Sequence, residues 1–433
     1  MNTFNIRTRE ELEKTEQQTL APYATLSAGT HQTRFYPEPE HPYRLAFQRD
    51  RDRIIHSRAF RRLKHKRQVF LTSEGDHYRT RLTHTLEVSQ ISRTMAKTLG
   101  LNEELVEAIA LGHDLGHTPF GHYGGVILDN IMRGKDTLDG LLLSRNVGGF
   151  KHNYQSLRVV DMLEQKYPFP GLNLTRYVRE GILKHTHLES GKFHYPDLNV
   201  EGLHLELPCA TTLEGQVVAI ADEIAQRTHD LEDGIRAGFV ELQQVRELPI
   251  VKLTEEKLKI ADLLSQDPYL YRNTLIKGLI NLLVDDVIHQ TLKSLSSFWQ
   301  RKNRTHFFDE ELVTFTDELD PYQKQLDEFI AQKIIAHSGN SWADSEVENL
   351  LRSLFRAYFL KPLLLPSHTI KRFLRKRGER YFAKAPNSVR DDQAIITLMQ
   401  QDEDFLRLVC DQIAGMSDNF AVAEYNRLAL TKD

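Results

Sequence analysis

Four side chains that could bind a metal ion occur in apolar stretches of the sequence. His84 opens a run with apolar residues at helical spacing, His113 and Asp114 follow a hydrophobic segment, and Asp222 lies in another. A buried carboxylate is costly unless it is paired with a cation or bound to a metal. The sequence therefore predicts that His84, His113, Asp114 and Asp222 together hold a divalent metal ion.

The chemistry of this donor set limits the choice of metal. Two imidazoles and two carboxylates make a mixed nitrogen and oxygen site, which suits Mn, Fe, Ni, Mg or Zn better than Ca or Cu. Each residue alone has a structural interpretation as well, because a helix-end Asp is often a cap and a single His is often a satisfied core residue. The prediction depends on the four residues occurring together.

Helices must position these residues. Apolar residues at helical spacing predict a series of helices, with Gly100 as a stop signal and Asn102 as an N-cap. The predicted helices are Thr83–Leu99, Glu103–Asp114, Val126–Met132, Tyr154–Lys166, Leu174–Lys184 and Gly215–Ile235.

The rest of the chain indicates an all-α fold in three parts. Residues 1–50 are predicted to be an irregular arm, because Pro22, Pro37, Pro39 and Pro42 interrupt helix formation. A helical core of residues 51–240 follows, and a further helical region covers 241–433, with a soft boundary near Val240. Only the segment 203–207 could form a short strand or hairpin.

Composition is typical of a globular protein without a strong overall charge. Hydrophobic residues make up 40% and charged residues 27%. The net charge of −4 excludes an overall positive field that would attract nucleic acid to the whole protein. Two cysteines are too few for a disulfide framework. The N-terminus lacks a signal-peptide pattern, and no apolar run reaches the roughly 20 residues of a membrane span. We expect a cytoplasmic protein that does not cross a membrane.

Several long blocks of the sequence resemble the bacterial deoxyguanosine triphosphate triphosphohydrolases and their "like" proteins, in the HD superfamily. The resemblance runs over nearly the whole chain and includes the four candidate metal ligands. The blocks are Arg51–Ser57, Phe60–Leu63, Gln68–Phe70, Glu74–His84, His113–His122, His152–Arg158, Asp222–Ala225 and Ile413–Asp418.

This resemblance implies an HD-type core in residues 51–240 and a metal-dependent hydrolase. The implied reaction converts dGTP or another deoxynucleoside triphosphate (dNTP) to the deoxynucleoside and inorganic triphosphate. Water attacks the α-phosphorus and the 5′-oxygen leaves. Mg²⁺ or Mn²⁺ is the expected metal, with Ni²⁺, Fe²⁺ or Zn²⁺ as alternatives. The alternative function is a dNTP-binding regulatory or partner protein with weak or no turnover.

The resemblance also implies roles for individual residues. His122 aligns with the general acid, while His117 and His152 align with residues that contact the α-phosphate region. Gln68 aligns with a residue that contacts the sugar.

Two further roles follow from the residues themselves. Glu87, one helical turn from His84, is a candidate for orienting an imidazole or a water, and a solvent-facing charge is the other interpretation. The basic stretch from Arg51 to Arg67, with Arg79 and Arg81, offers cations for a triphosphate of about four negative charges. We single out Arg58, Arg62 and Arg81.

Two positions depart from the family pattern. Relatives carry Glu three residues after the second histidine of the loop, where this chain has Gly125. A carboxylate there would raise the pKa of His122, and Asp129, two helical turns after His122, is a candidate substitute. Gln226 stands where many relatives have Tyr, near the phosphates.

Partners are expected mainly by resemblance. They are the dNTP substrate, an effector nucleotide, and other copies of the chain in a homo-oligomer, a hexamer in the family. A basic cluster could bind single-stranded DNA, although a solvated helix face is the favoured interpretation. That cluster consists of Lys371, Arg372, Arg375, Lys376, Arg377 and Arg380.

Overall fold

The described part of the protein is built from α-helices. A computed structural model describes residues 6–67, 79–188, 191–336, 341–376 and 393–429. Within these ranges no strand forms, and the only bridge of β type is an isolated antiparallel pair, Arg67 and Thr80. The all-α prediction is confirmed, but the strand or hairpin predicted for residues 203–207 is wrong. Leu207 instead closes a turn onto the carbonyl of His204, because no neighbouring strand is present to pair with it.

The helices of the N-terminal half carry the candidate metal ligands. In chain order they are α1 (Arg9–Thr19), α2 (Ala46–Ile55), α3 (Arg58–Arg62), α4 (Arg81–Leu99), α5 (Glu103–Gly112), α6 (Gly121–Met132), α7 (His152–Arg158), α8 (Arg176–Leu183) and α9 (Leu213–Arg236). Helix α7 continues as a π-helical turn, Val159–Leu163, and 3₁₀ turns form at Thr30–Thr33 and Leu63–His65.

The C-terminal half is helical as well. Its helices are α10 (Leu242–Arg246), α11 (Pro249–Leu258), α12 (Leu263–Gln266), α13 (Pro268–Lys302), α14 (Asp320–Ile330), α15 (Ser341–Leu360), α16 (Ser367–Lys376), α17 (Gln393–Gln400), α18 (Glu403–Ala414) and α19 (Asp418–Ala429). A π-helical turn, Ala331–Ile335, extends α14, and Pro362–Leu364 forms a 3₁₀ turn.

Local sequence signals set the ends of the helices around the site. The Asn102 side chain accepts hydrogen bonds from the backbone N–H groups of Glu104 and Leu105, so it is the N-cap of α5 as predicted. Gly100 ends α4 with φ of 71°, a left-handed conformation that suits glycine. Helix α5 stops at Gly112, which leaves His113 and Asp114 in the turn after it.

Helix α1 was missed, and the prediction of an irregular arm is wrong for residues 9–19 and for residues 46–50, where α2 begins. Thr8 and Glu11 form a reciprocal capping box at the start of α1. The only buried residue of α1 is Glu16, so the helix has no apolar stripe that sequence periodicity could detect.

A large hydrophobic cluster lies between the helices that carry the candidate ligands. Helix α5 packs against α2, α4, α8 and α9, and α13 covers α4 and α9. Fully buried members include Val88, Leu105 and Val217. This packing places the first turn of α4, the end of α5 and the middle of α9 around one buried point.

A second hydrophobic cluster joins α6 to the C-terminal helices. Leu128 of α6 packs with residues such as Leu354 of α15 and Val409 of α18. Helices on both sides of Val240 contribute to both clusters, so packing crosses the boundary that we predicted there, and that boundary stays a prediction. Among the described helices, none has the length and apolar character needed to cross a membrane.

Gly116 allows the loop after α5 to approach α7 closely. A Cβ atom at this position would lie 2.1 Å from the backbone nitrogen of Ser156 and 2.5 Å from the carbonyl oxygen of His152. The Gly116 N–H donates to the Ser156 hydroxyl, which in turn donates to the His113 carbonyl. Because Gly116 has no side chain, the His113–His117 turn can lie directly against α7, where these hydrogen bonds hold it.

We predict that Gly116→Ala destabilises the protein by about 1–3 kcal/mol, the usual cost of overpacking. The backbone atoms that the new methyl group would meet cannot move aside without separating the loop from α7. Thermal unfolding measures the effect, with Gly125→Ala as the matched control, because a Cβ there meets nothing closer than 3.8 Å. Equal melting temperatures for the two variants would contradict the prediction.

Candidate metal centre

Three of the four predicted ligands converge on one buried point. The possible donor atoms of His84, His113 and Asp222 all lie within 4.8 Å of one another. Asp222 Oδ1 is 2.9 Å from His84 Nε2 and 3.6 Å from His113 Nε2. All three residues are buried, so their polar atoms need a partner inside the protein.

Asp114 lies at the edge of this cluster. Its Oδ1 atom is 3.5 Å from His113 Nε2 and 3.0 Å from His117 Nε2, and its Oδ2 atom accepts a hydrogen bond of 2.7 Å from Arg81. Burial opposes the ionised form, but His117, His113 and Arg81 hold the pKa of Asp114 well below its usual range. Asp114 is therefore an ionised carboxylate next to the three grouped ligands.

His113 has one ring nitrogen that is bonded and one that is not. Its Nδ1–H donates to the carbonyl oxygen of Ala110 at 2.6 Å, so in the neutral ring the lone pair lies on Nε2. Nε2 is buried and has no hydrogen-bond partner among the described residues. A buried acceptor without a partner is unfavourable, and a metal ion bound at Nε2 would satisfy it.

The cluster attracts positive charge. Burial alone would lower the pKa of His113, yet the carboxylates of Asp114 and Asp222 raise it above the usual value. The pKa of Asp222 is lowered, because His113 and His84 outweigh the opposing effect of burial. A divalent cation fits this set of ionised oxygens and imidazole nitrogens.

A chain of contacts leads from the surface to His84. Glu87 pairs with His229 Nε2, and His229 Nδ1 is 3.3 Å from His84 Nδ1. Because an ionised carboxylate cannot donate, this contact favours a proton on His229 Nε2 and a lone pair on its Nδ1. The pKa of His229 is lowered by burial, consistent with the neutral form.

These contacts bear on a candidate metal ligand. His84 Nε2 lies 2.9 Å from Asp222 Oδ1, an ionised carboxylate that can only accept, so Nε2 carries a proton in this structure. A metal ion bound at Nε2 would replace that proton, and His84 would then donate from Nδ1 to His229. The predicted orienting role of Glu87 has a structural basis, but it runs through His229. Sequence reasoning did not single out His229, because nothing along the chain shows that it faces His84.

Further imidazoles lie beside the cluster. The His117 ring stacks on His152 at 4.0 Å, and His185, which was also missed, lies 5.2 Å from His152 and 5.1 Å from His113. Burial lowers the pKa of His117 to about 3 and that of His185 to about 4, and it lowers the pKa of His152 as well. The three rings are therefore neutral at pH 7 in the absence of a bound anion.

His122 and its proposed substitute acid do not meet. His122 lies in the first turn of α6, and desolvation together with Lys151 and Arg81 lowers its pKa. Asp129 instead accepts from the Arg133 guanidinium at 2.7 Å and from the Phe150 N–H at 2.7 Å. Among the described residues no hydrogen bond or ion pair joins Asp129 to His122.

Of the three singled-out arginines, only Arg81 lies at the cluster. Its guanidinium contacts Asp114, and its Nε atom is buried without a partner among the described residues. Arg58 and Arg62 line a separate cavity next to the C-terminal helices.

The other cations of this basic stretch are largely occupied. Arg79 pairs with Glu232 and Asp233, and Arg51 pairs with Glu104 and Glu107.

Gln226 lines a small cavity along α9, the helix that carries Asp222. This cavity measures about 190 Å³, and Glu223, Arg227 and Asp230 also line it. Burial and the neighbouring Asp233 raise the pKa of Asp230 to about 8, so this carboxyl group is protonated at pH 7. Asp230 was not anticipated from the sequence, because nothing along the chain shows that it is buried next to another acid.

Some predicted residues fall outside this description. Gln68 lies outside the described residues, as do Arg377 and Arg380 of the basic cluster. Lys371 is exposed on α16, and the side chains of Arg372, Arg375 and Lys376 are not among the described ones.

The fold and the buried cluster define a class of protein. The HD domain family matches residues 81–227, from the start of α4 into α9, and its fold is that of metal-dependent phosphohydrolases. A phosphohydrolase-associated domain matches residues 380–427. The His84, His113 and Asp222 cluster lies inside the first match.

Relatives of nearly the same length show to which group of HD proteins the chain belongs. The chain is 39% identical over 421 residues to a deoxyguanosinetriphosphate triphosphohydrolase-like protein of Brucella anthropi, covering 94% of this chain and 95% of that protein. It is also 39% identical over 432 residues to the protein of that name from Geobacter sulfurreducens, covering 97% of each. The chain therefore belongs to the deoxyguanosinetriphosphate triphosphohydrolase-like proteins of the HD superfamily.

We predict that Glu87→Ala weakens divalent metal binding by about 10- to 100-fold, the usual effect of removing a group that orients a metal ligand. Without the carboxylate, His229 is no longer held in the tautomer that accepts from His84. Calorimetric titration with Mn²⁺ measures the affinity. Glu87→Gln, which keeps an acceptor oxygen, should restore part of it.

The control for this prediction is Gln90→Ala, an exposed substitution one turn further along α4. An affinity of Glu87→Ala equal to that of Gln90→Ala would show that the contacts through His229 do not support the metal site.

Proposed function

We propose that this phosphohydrolase converts dNTPs to deoxynucleosides and inorganic triphosphate, with a divalent metal held by His84, His113, Asp114 and Asp222. The observation that carries the proposal is the buried cluster, in which His113 Nε2 has no partner and two ionised carboxylates attract a cation. The names of the relatives point to the same substrate class.

The residues around the cluster support phosphoryl chemistry. When bound, the metal would neutralise charge on the α-phosphate and favour the ionisation of a water. Arg81 presents a fixed positive charge next to Asp114, suited to a non-bridging phosphate oxygen. The neutral rings of His117 and His152 can donate hydrogen bonds to a phosphate without adding a buried charge.

The leaving group requires a proton. In the proposed reaction a water oxygen bonds to the α-phosphorus and releases a proton to the solvent, the bond to the 5′-oxygen breaks, and the His122 imidazolium donates its proton to that oxygen. The pKa of His122 is lowered in the free protein, but the negative charge of a bound triphosphate opposes this by stabilising the imidazolium. His122 therefore becomes a better proton donor when the substrate is bound.

We predict that the purified protein with Mn²⁺ or Mg²⁺ releases inorganic triphosphate from at least one dNTP. The four dNTPs are tested singly and mixed, because one nucleotide could activate hydrolysis of another, and products are separated by anion-exchange chromatography. Asp222→Asn should lower kcat by at least about 100-fold, as expected for the loss of a key electrostatic group.

The control for this assay is Asp285→Asn, at an exposed position on α13. Nucleotide binding without any product across all metals would contradict the proposal and favour a dNTP-binding regulatory protein. Release of pyrophosphate instead of triphosphate would also contradict it.

We predict that Gly125→Glu raises turnover at pH 7 to 8. Position 125 lies three residues after His122 on α6, so the two side chains share a helix face, and a Cβ atom at position 125 meets nothing closer than 3.8 Å. The new carboxylate raises the pKa of His122, so the protonated acid persists to higher pH. In the profile of kcat against pH, the alkaline limb should move to higher pH. At pH values above this limb, kcat should rise by about tenfold for each unit by which the pKa of His122 increases.

Gly125→Gln is the control for this substitution, because it has the same size without the charge. A pH profile of Gly125→Glu that coincides with that of Gly125→Gln would show that His122 is not the limiting acid.

A further inference from the structure

The carboxylate at the start of α19 reaches into the core. Asp418, the first residue of this helix, is 6% exposed. Its Oδ1 atom accepts from the Phe120 N–H at 3.0 Å, and its Oδ2 atom accepts from the Arg67 N–H at 3.1 Å. One buried carboxylate therefore joins α19 to the start of α6 and to the segment after α3. Among the described residues, no hydrogen bond or ion pair joins Asp418 to a candidate metal ligand.

Phe120 has a backbone conformation that a bulky residue rarely adopts. Its φ is 61°, in the left-handed region, and the next residue, Gly121, has φ of 63°. Phe120 is the N-cap of α6, and its side chain cannot accept a hydrogen bond from the first turn of that helix. Contacts from outside α6 must therefore hold this bend, and the Asp418 carboxylate supplies one of them at the Phe120 N–H.

The bend lies between two histidines of the proposed reaction. His117, three residues before Phe120, stacks on His152, and its Nε2 lies 3.0 Å from Asp114 Oδ1. His122, two residues after Phe120, lies in the first turn of α6. Because α6 begins at the bend, the backbone angles of Phe120 set the direction in which His122 points from the loop.

The two halves of this loop are held by different side chains. Lys66 donates to the carbonyl of His117 and so fixes the half beside the metal centre. Asp418 acts at the Phe120 N–H, on the half that leads to His122. Loss of the Asp418 carboxylate would therefore release the second half and leave the first in place.

We propose that Asp418 is a positioning residue for His122: by accepting from the Phe120 N–H, its carboxylate keeps Phe120 left-handed and directs the imidazole towards the leaving 5′-oxygen. The inference rests on the proposed function for the role of His122 as the acid. Helix α19 thus takes part in proton donation without touching the substrate. A carboxylate that only joined α19 to the core would affect stability and nothing else.

Crystal structures test the geometry without any activity assay. Asp418→Ala removes both acceptor oxygens, so Phe120 should move to a negative φ and the His122 ring should leave its position in the wild-type chain. The matched control is Glu403→Ala, at the exposed first residue of α18, which should leave Phe120 and His122 in place. If Phe120 keeps its left-handed φ in Asp418→Ala, the proposal is overturned.

Kinetics test whether Asp418 acts through His122. Asp418→Ala should lower kcat by about 10- to 100-fold, the cost of a misplaced catalytic group, and leave the KM for the dNTP unchanged. Asp418→Asn, which keeps one acceptor oxygen, should recover part of kcat, and it replaces Asp418→Ala in every comparison if that variant does not fold. In a His122→Ala background, under single-turnover conditions, Asp418→Ala should change the rate by no more than about twofold.

A purely structural role for Asp418 predicts a different pattern. Rate losses from Asp418→Ala and His122→Ala that multiply, or a raised KM with unchanged kcat, would overturn the proposal. Equal kcat values for Asp418→Ala and Glu403→Ala would overturn it as well. If the wild-type chain releases no triphosphate, the proposed reaction fails by itself, whereas the crystal structures still decide whether Asp418 positions His122.

Discussion

Two ionised carboxylates, Asp114 and Asp222, are buried where α4, the end of α5 and α9 meet, and their charge has to be compensated. Arg81 and the surrounding imidazoles supply part of that compensation. His113 Nε2 remains without a partner, and its pKa is raised by the same two carboxylates. A bound divalent cation would complete the balance. The rest of the core can be understood as the packing that holds these helices around this point.

The candidate metal ligands are oriented by groups that do not belong to the cluster. The Ala110 carbonyl sets the tautomer of His113, and Glu87 acts on His84 through His229. Such contacts fix the orientation of the rings, with both Nε2 atoms facing the cluster. Preorganisation of this kind lowers the cost of binding a metal ion.

The C-terminal helices take part in holding the site. Lys66 donates to the carbonyls of His117 and Ala414, and Arg158 of α7 pairs with Asp411 of α18 at 2.8 Å. The match to the phosphohydrolase-associated domain, residues 380–427, therefore includes helices that lie beside the loop carrying His113 and Asp114. The cavity lined by Arg58 and Arg62 lies along this same junction.

The sequence by itself determined the all-α fold and the helices around the site, because apolar periodicity and caps such as Asn102 act locally. It also indicated His84, His113 and Asp222 as candidate ligands, because polar groups in apolar helices need a buried partner. Only the tertiary structure decided which residues touch over long separations. His229 meets His84 across 145 positions of sequence, and Arg58 faces the C-terminal helices instead of the metal cluster. Spacing along a chain sets the face of a helix on which a residue lies, but the partner of that face depends on how the helices pack.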